Sequence, residues 1–279
     1  MGRFMLEYIE RESPIHAVSG AVKLIVFLLW SILAMASYDT PLMIVMAALG
    51  IAAFAVSKTK INETSFIFKA LILFMIFNLT AVYLFAPEHG VQVYGTRNVI
   101  WNGNGHFTLT LEELFYLFNM LLKYCMIVPA AILLIVTTHT SEFASSLNRI
   151  GVPYSIAYAV SLSLRYIPDV QKDFQHISKA QQARGVELSR KASLPARLKG
   201  SAAILLPLIF SSIDRIDTIT RAMELRGFGK YKKRTWYSYR PFSRRDAVVL
   251  IAALLLFGLG MWATFRDGNR FYNPFAATV

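Results

Sequence analysis

Two copies of one short pattern carry the arginines best placed to recognise a partner. Lys179-Ala180-Gln181-Gln182-Ala183-Arg184-Gly185 recurs 42 residues later as Arg221-Ala222-Met223-Glu224-Leu225-Arg226-Gly227. Both copies read basic-Ala-x-x-x-Arg-Gly. A guanidinium offers a planar fork of donors that suits a carboxylate or a set of carbonyls. Two ordinary helix ends would explain part of the pattern. Glycine supplies the left-handed position after a last helical turn, and arginine in that turn complements the helix dipole. Capping requires neither Ala180 nor Ala222. Small residues one turn before the arginine keep that face of the helix low, so that a partner's groove could close around its end. A matched pair of such ends suggests a matched pair of docking points.

Other residue pairs could in principle do chemistry. Asp169-x-x-x-Asp173 and Asp214-x-x-Asp217 each place two carboxylates about one helical turn apart. Such pairs can hold Mg²⁺ on a diphosphate, as in a membrane-bound transferase acting on a diphosphate lipid. The competing reading is a solvated helix face with local ion pairs, Asp169 with Lys172 or Asp214 with Arg215. Gly227-Phe228-Gly229-Lys230 is glycine-rich but lacks the spacing and the following Ser or Thr of a P-loop. His16, His89, His106, His139 and His176 are scattered and join no cysteine cluster, so no metal site is read. The single cysteine, Cys125, lies in an apolar block and reads as packed rather than reactive. Lys123 is deep in the same block. At membrane depth that is a functional signal by default, with pairing or snorkelling as the alternative.

These residues are held by a chain built for a bilayer. Of its 279 residues 55% are hydrophobic and 16% charged, and the mean hydropathy is +0.46. A typical soluble domain has about 25% charged residues. Ala21 to Tyr38, Pro41 to Val56, Phe66 to Phe85, Leu114 to Val136 and Ala247 to Phe265 are apolar blocks. A crossing helix needs roughly 17 to 25 such residues. The Met1 to Ser13 segment mixes Arg3, Glu7, Glu10, Arg11 and Glu12, which does not read as a cleavable signal.

Charge sets the expected orientation. The segment Thr138 to Asp246 holds 19 of the 29 lysines and arginines but 8 of the 17 acids. Lys58 and Lys60 add to the turn after the second block, whereas the loop Ala86 to Glu113 has only Arg97. Basic loops stay in the cytoplasm. The expectation is an all-α polytopic protein of about five crossings, with the N-terminus inside and the C-terminus outside. Residues 1–137 would hold the first four crossings and the outer loop, 138–246 a cytoplasmic domain, and 247–279 the last crossing and an external tail. Arg266 and Arg270 in that tail dissent mildly. The formal net charge of +12 is better explained by this bias and by anionic lipid than by nucleic acid.

In the outer loop, Val91 to Tyr94 and Val99 to Trp101 flank turn residues and predict a small hairpin. Thr108 or Thr110 is the expected N-cap of the next helix, with Glu112 and Glu113 in its first turn. The cytoplasmic segment reads as a short amphipathic helix over Ser141 to Arg149. A long helix over Tyr154 to Arg184, bent at Pro168, and a second over Leu194 to Arg226 follow. Ile156 to Leu164 and Ala202 to Ile213 are apolar and too short to span. Their readings are burial against each other or at the interface, or a re-entrant hairpin.

The chain resembles the transmembrane (T) component of energy-coupling factor (ECF) transporters, the EcfT/CbiQ-like family of importers related to ABC transporters. The resemblance runs through Ser13-Pro14-Ile15-His16 and Leu147-Asn148-Arg149-Ile150-Gly151-Val152-Pro153. It is strongest at Leu164-Arg165-Tyr166-Ile167-Pro168 and the two Arg-Gly motifs. Leu225 departs from the alanine usual in the family. The resemblance implies a non-catalytic scaffold with two long crossing coupling helices and no bound cofactor. ATP and Mg²⁺ would be used by two ABC-type ATPase subunits. Ala183, Arg184 and Gly185 would dock one ATPase, and Leu225, Arg226 and Gly227 the other. Ile156, Val160, Leu164, Leu205, Leu208 and Ile209 would receive a small substrate-binding membrane subunit (S component). The location would be a bacterial or archaeal plasma membrane and the cargo a vitamin or transition-metal ion. An ordinary ABC importer permease, with a single coupling loop, is the other transport reading.

Overall fold

The computed structural model describes residues 13–59, 61–102, 107–186, 193–231, 235–237, 239–266 and 271–275. Gly103, Asn104, Gly105, His106, Lys60, Arg270 and the residues before Ser13 lie outside these. Two compact units result: Met1–His139 with Arg240–Val279, and Thr140–Tyr239.

The first unit contains α1 (Gly20–Ala36), α2 (Thr40–Val56), α3 (Ile61–Phe85), α4 (His89–Tyr94), β1 (Val99–Asn102), β2 (Thr108–Thr110), α5 (Leu111–Thr137) and α9 (Arg244–Phe265). Three spans, Ser65–Phe85, Leu111–Thr137 and Arg244–Phe265, are long and apolar enough to cross a membrane. The equally apolar α1 and α2 have 17 residues each. Their outward faces are greasy: Met35, Leu73, Phe77, Leu255 and Leu259 are all exposed. That pattern fits lipid as the surrounding solvent.

Helix α5 is the central post, packed by α1, α2 and α3. One core lies between α1, α2 and α5, where Leu33, Ala34, Met43, Met46 and Met126 are buried. Gly260 lets α9 approach α1 closely, since a Cβ there would stand 2.6 Å from Leu33 Cδ2. Small residues serve this purpose between membrane helices, where close packing replaces the hydrophobic effect as the glue.

A second core lies where α1 turns into α2, against the first turns of α5. Tyr94, Tyr116 and Phe275 are buried together, with Tyr38, Phe115 and Phe271 against them. The chain after α9 returns to this end: Tyr272 N–H donates to Tyr38 O at 3.2 Å, and Asn273 Nδ2 to Tyr94 O at 3.0 Å. Buried Asn119 accepts from Thr40 Oγ1 at 2.9 Å and donates to Tyr94 OH at 3.1 Å, tying α2, α4 and α5. The α1–α2 turn, the 86–110 loop and residues 271–275 therefore share one end of this unit.

The outer loop differs from the sequence expectation. Val91 to Tyr94 is not a strand: it belongs to α4, and β1 pairs antiparallel with β2 instead. Tertiary packing overrides the β-branched pattern. Gly90 sits so close to α5 that a Cβ would be 2.5 Å from Glu112 C and O. Gly95, at φ 74°, ends the helix with Tyr94 turned into the core. Thr110 is the N-cap of α5 and accepts from Glu113 N–H at 3.2 Å, whereas Thr108 Oγ1 donates to Glu88 Oε1. Glu112 accepts from Asn98 N–H and Nδ2 and from Thr96 Oγ1. Glu113 Oε2 accepts from Gly90 N–H at 2.7 Å. The acids of the first turn thus bind the loop to the helix as well as complementing its dipole.

At the opposite end, Lys23 Nζ donates to Thr137 O at 2.7 Å and Arg240 Nη1 to His16 O at 3.1 Å. Asp246 accepts from Ser19 N–H at 2.8 Å and from Ser243 N–H at 2.9 Å, completing a capping box for α9.

The second unit holds α6 (Thr140–Arg149), α7 (Tyr154–Ala183) and α8 (Leu194–Leu225). Helix α7 runs through Pro168 and α8 through Pro207. Three contacts set their pairing: Arg215 with Asp173, Gln181 Nε2 with Ala203 O at 3.2 Å, and Phe228 against Tyr154 and Tyr158. Residue numbers rise on one helix as they fall on the other, so the helices are antiparallel. Ala157 and Ile204 are buried.

Candidate functional site

Both Arg-Gly motifs form the same helix ending. In α7, Gly185 N–H donates to Gln182 O and Val186 N–H to Gln181 O, both at 3.0 Å. In α8, Gly227 N–H donates to Glu224 O at 2.8 Å and Phe228 N–H to Met223 O at 2.9 Å. These are the paired bonds of a Schellman ending, with glycine left-handed at φ 85° and 68°. Arg184 and Arg226 are the C-cap residues, with nearly identical backbone angles, and both are exposed. Because backbone groups and glycine make the cap, the guanidinium side chains are not needed to close the helix.

The antiparallel pairing puts the two tips at opposite ends of the helix pair. Continuing the pairing of Gln181 with Ala203, Arg184 is level with about residue 200 of α8, about 26 residues from Arg226, or roughly 39 Å along the helix at its usual rise. Such a separation suits two binding sites better than one. Ala180, Ala183 and Ala222 are exposed beside the arginines, and Leu225 is 90% exposed. An exposed leucine beside an exposed arginine places apolar surface next to a charged fork.

Phe228 fixes the second tip from behind. Its ring lies 4.8 Å from that of Tyr158 and 5.9 Å from that of Tyr154. Trp236 completes the cluster, its Nε1 donating to Asn148 Oδ1 at 3.1 Å. The sequence reading missed this cluster. The available signal was aromatics at Tyr154 and Tyr158, one turn apart, with Phe228 directly after the second Arg-Gly.

The expected apolar contact residues divide by exposure. Ile156, Leu205 and Ile209 are about half exposed, while Val160, Leu164 and Leu208 are more covered. Leu206, Phe210, Ile213 and Ile216 extend the exposed face of α8. Apolar residues grouped on one exposed helix face are the kind of patch that marks interaction or membrane surfaces.

The carboxylates of the first pair, Asp169 and Asp173, are engaged in ion pairs. Arg215 takes the Asp173 carboxylate across the helix pair, instead of the neighbouring Asp214, and Lys172 Nζ is 3.9 Å from Asp169. Among the described residues, no group of three His, Cys, Asp or Glu side chains could hold a metal ion. Lys123 Nζ stands 3.2 Å from the centroid of the Tyr38 ring, a cation–π contact just beyond the C-terminal end of α1.

Comparisons with known proteins identify relatives over most of the chain. The chain is 28% identical over 255 residues to an energy-coupling factor transporter transmembrane protein EcfT of Heliobacterium modesticaldum, covering 88% of this chain and 91% of that protein. It is 26% identical over 269 residues to the EcfT protein of Brevibacillus brevis, covering 92% and 97%. A shorter match, 34% over 150 residues, covers 50% of this chain and 56% of the EcfT protein of Limosilactobacillus fermentum. Residues 11–237 match the family described as CbiQ, cobalt transport protein, and the chain belongs to that family.

Proposed function

We propose that this chain is the T component of an ECF-type importer in a bacterial or archaeal plasma membrane. It would carry the force of ATP hydrolysis from two ATPase subunits to a separate substrate-binding membrane subunit. The observation that carries this reading is the matched pair of exposed Arg-Gly tips at opposite ends of α7 and α8. One tip would serve each ATPase, through Ala183, Arg184 and Gly185 and through Leu225, Arg226 and Gly227. The exposed face of Ile156, Leu205 and Ile209, with Val160, Leu164 and Leu208 behind it, would seat the S component. ATP and Mg²⁺ belong to the ATPases, and this chain works as a scaffold rather than a catalyst.

In this reading α1, α2, α3, α5 and α9 are the five crossings, and residues 138–246 face the cytoplasm. The α1–α2 turn, the outer loop and the C-terminus then lie outside, a parity supported by their shared end of the first unit. The cargo is a vitamin or a transition-metal ion, and the S component selects it. Purification of the tagged chain from its own membranes tests the reading. Two ATPase subunits and one small membrane protein should co-elute. Elution with a single ATPase contact, or as a chain that turns over a diphosphate lipid alone, would overturn it.

A further inference from the structure

The two docking tips share a helix ending but differ in what stands behind it. In that ending the residue after the left-handed glycine is Val186 at the first tip and Phe228 at the second. Such a side chain commonly packs on the last turn of its own helix. The Phe228 ring reaches the other helix, with its centroid 4.8 Å from that of Tyr158 and 5.9 Å from that of Tyr154. Tyr154 and Tyr158 are stacked on each other at 5.8 Å, their planes 19° apart. Trp236 closes the group, 5.2 Å from Tyr154 and 6.3 Å from Tyr158. The group is itself anchored to the turn between α6 and α7. Trp236 Nε1 donates to Asn148 Oδ1 at 3.1 Å, and Asn148 Nδ2 donates to Val152 O at 2.9 Å. Ring pairs at these separations attract beyond the area they bury and favour particular angles, so they fix direction as well as distance.

Among the described residues nothing comparable holds the first tip. Val186 carries no ring, and the described ring pairs of α7 involve only Tyr154 and Tyr158, at its far end. The tie near Arg184 is Gln181 Nε2 on Ala203 O at 3.2 Å, a single amide on a carbonyl. A group fixed before its partner arrives avoids the cost of being ordered on binding. The two tips therefore ask different amounts of order from whatever docks on them.

We propose that Phe228 is a positioning residue for the second docking tip: gripped by Tyr154 and Tyr158, it presets the direction of Leu225 and Arg226, so that the α8 tip is the preordered one of the two. Its consequence for ATPase binding rests on the docking role proposed above; the difference in order between the tips does not.

Two measurements on the purified full chain in detergent test it. In a Cys125→Ala background, a nitroxide label is placed on Glu224→Cys or on Gln182→Cys, exposed residues at the same position in the two helix endings. The label at 224 should be the less mobile. Phe228→Ala should raise its mobility several-fold and leave the label at 182 unchanged. Equal mobility at the two tips, or no response to Phe228→Ala, would overturn the proposal. The second measurement is binding of the ATPase subunits that co-elute with the chain. Arg184→Ala leaves the α8 tip to be read by itself, and Arg226→Ala leaves the α7 tip. Phe228→Ala should weaken ATPase binding about fivefold in the Arg184→Ala chain and leave it unchanged in the Arg226→Ala chain. A general loss of stability would weaken both alike, and that result would also overturn the proposal. Phe228→Tyr keeps the ring and should match the unaltered chain in both measurements. Where Phe228→Ala does not fold, Tyr158→Leu removes the nearest ring from the other side and is judged by the same outcomes. ATPase binding that Arg226→Ala leaves unchanged would refute the docking reading itself, and the labels would still decide whether the tips differ in order.

Discussion

Asp246→Ala should be among the most damaging single changes in the first unit. The carboxylate is 1% exposed and holds two helices at once. It accepts from Ser19 N–H at 2.8 Å, ahead of α1, and from Ser243 N–H at 2.9 Å and Oγ at 3.0 Å, ahead of α9. Truncation removes the α9 capping box, worth about 1 kcal/mol. It also leaves the Ser19 N–H buried without its acceptor, at about 1–3 kcal/mol. The total is about 2–4 kcal/mol. Asp246→Asn keeps one acceptor oxygen and should lose about half of that. Ser243→Ala removes the cap but leaves the α1 bond, and should cost about 1 kcal/mol. Thermal unfolding of the purified chain in detergent, followed by tryptophan fluorescence, should rank stability as wild type, Ser243→Ala, Asp246→Asn, Asp246→Ala. An Asp246→Ala chain as stable as the wild type would refute the claim that this carboxylate joins α1 to α9.

Gly260→Leu should destabilise by about 1–3 kcal/mol through overpacking against Leu33, and Leu33→Ala should recover part of the loss in the same unfolding assay. Leu205→Asn with Leu208→Asn should release the S component in a pull-down while both ATPases stay bound; loss of the ATPases with retention of the small subunit would reverse the two faces. In a Cys125→Ala background, Asn104→Cys should react with an impermeant thiol reagent in intact cells and Ser193→Cys should not. The opposite labelling would invert the proposed topology.

The helices were legible because each apolar block is bounded by polar or turn residues, and lipid forces such blocks to be helical. The Arg-Gly endings were legible because a left-handed residue after a helix almost demands glycine. The end of the first unit that holds α4 and the α1–α2 turn was not legible from local pattern. Val91 and Val93 look like strand residues, but Gly90 packing on Glu112 and Tyr94 entering an aromatic core decide for helix. That core is completed by Phe271 and Phe275, far away in sequence. Asp246 escaped for the same reason: its partner Ser19 is more than two hundred residues distant. A cue was nonetheless available, since Ser243-Arg244-Arg245-Asp246 before an apolar run is a capping-box pattern. Exposure of Leu206, Phe210 and Ile216 depends on which face of α8 meets α7, and Arg215 with Asp173 sets that face.

The central claim is that one arginine tip engages each of two ATPases, and its most direct measurement is ATPase retention by purified chains carrying Arg184→Ala, Arg226→Ala or both. Each tip is capped by its backbone and glycine, so neither change should unfold its helix. Loss of one charge-assisted contact costs about 1.5–3 kcal/mol, which weakens one site by about 10- to 150-fold. The account predicts that each single variant retains one ATPase firmly and the other poorly, and that the double variant loses both and does not transport. A double variant that keeps both ATPases and transports at the wild-type rate would contradict it.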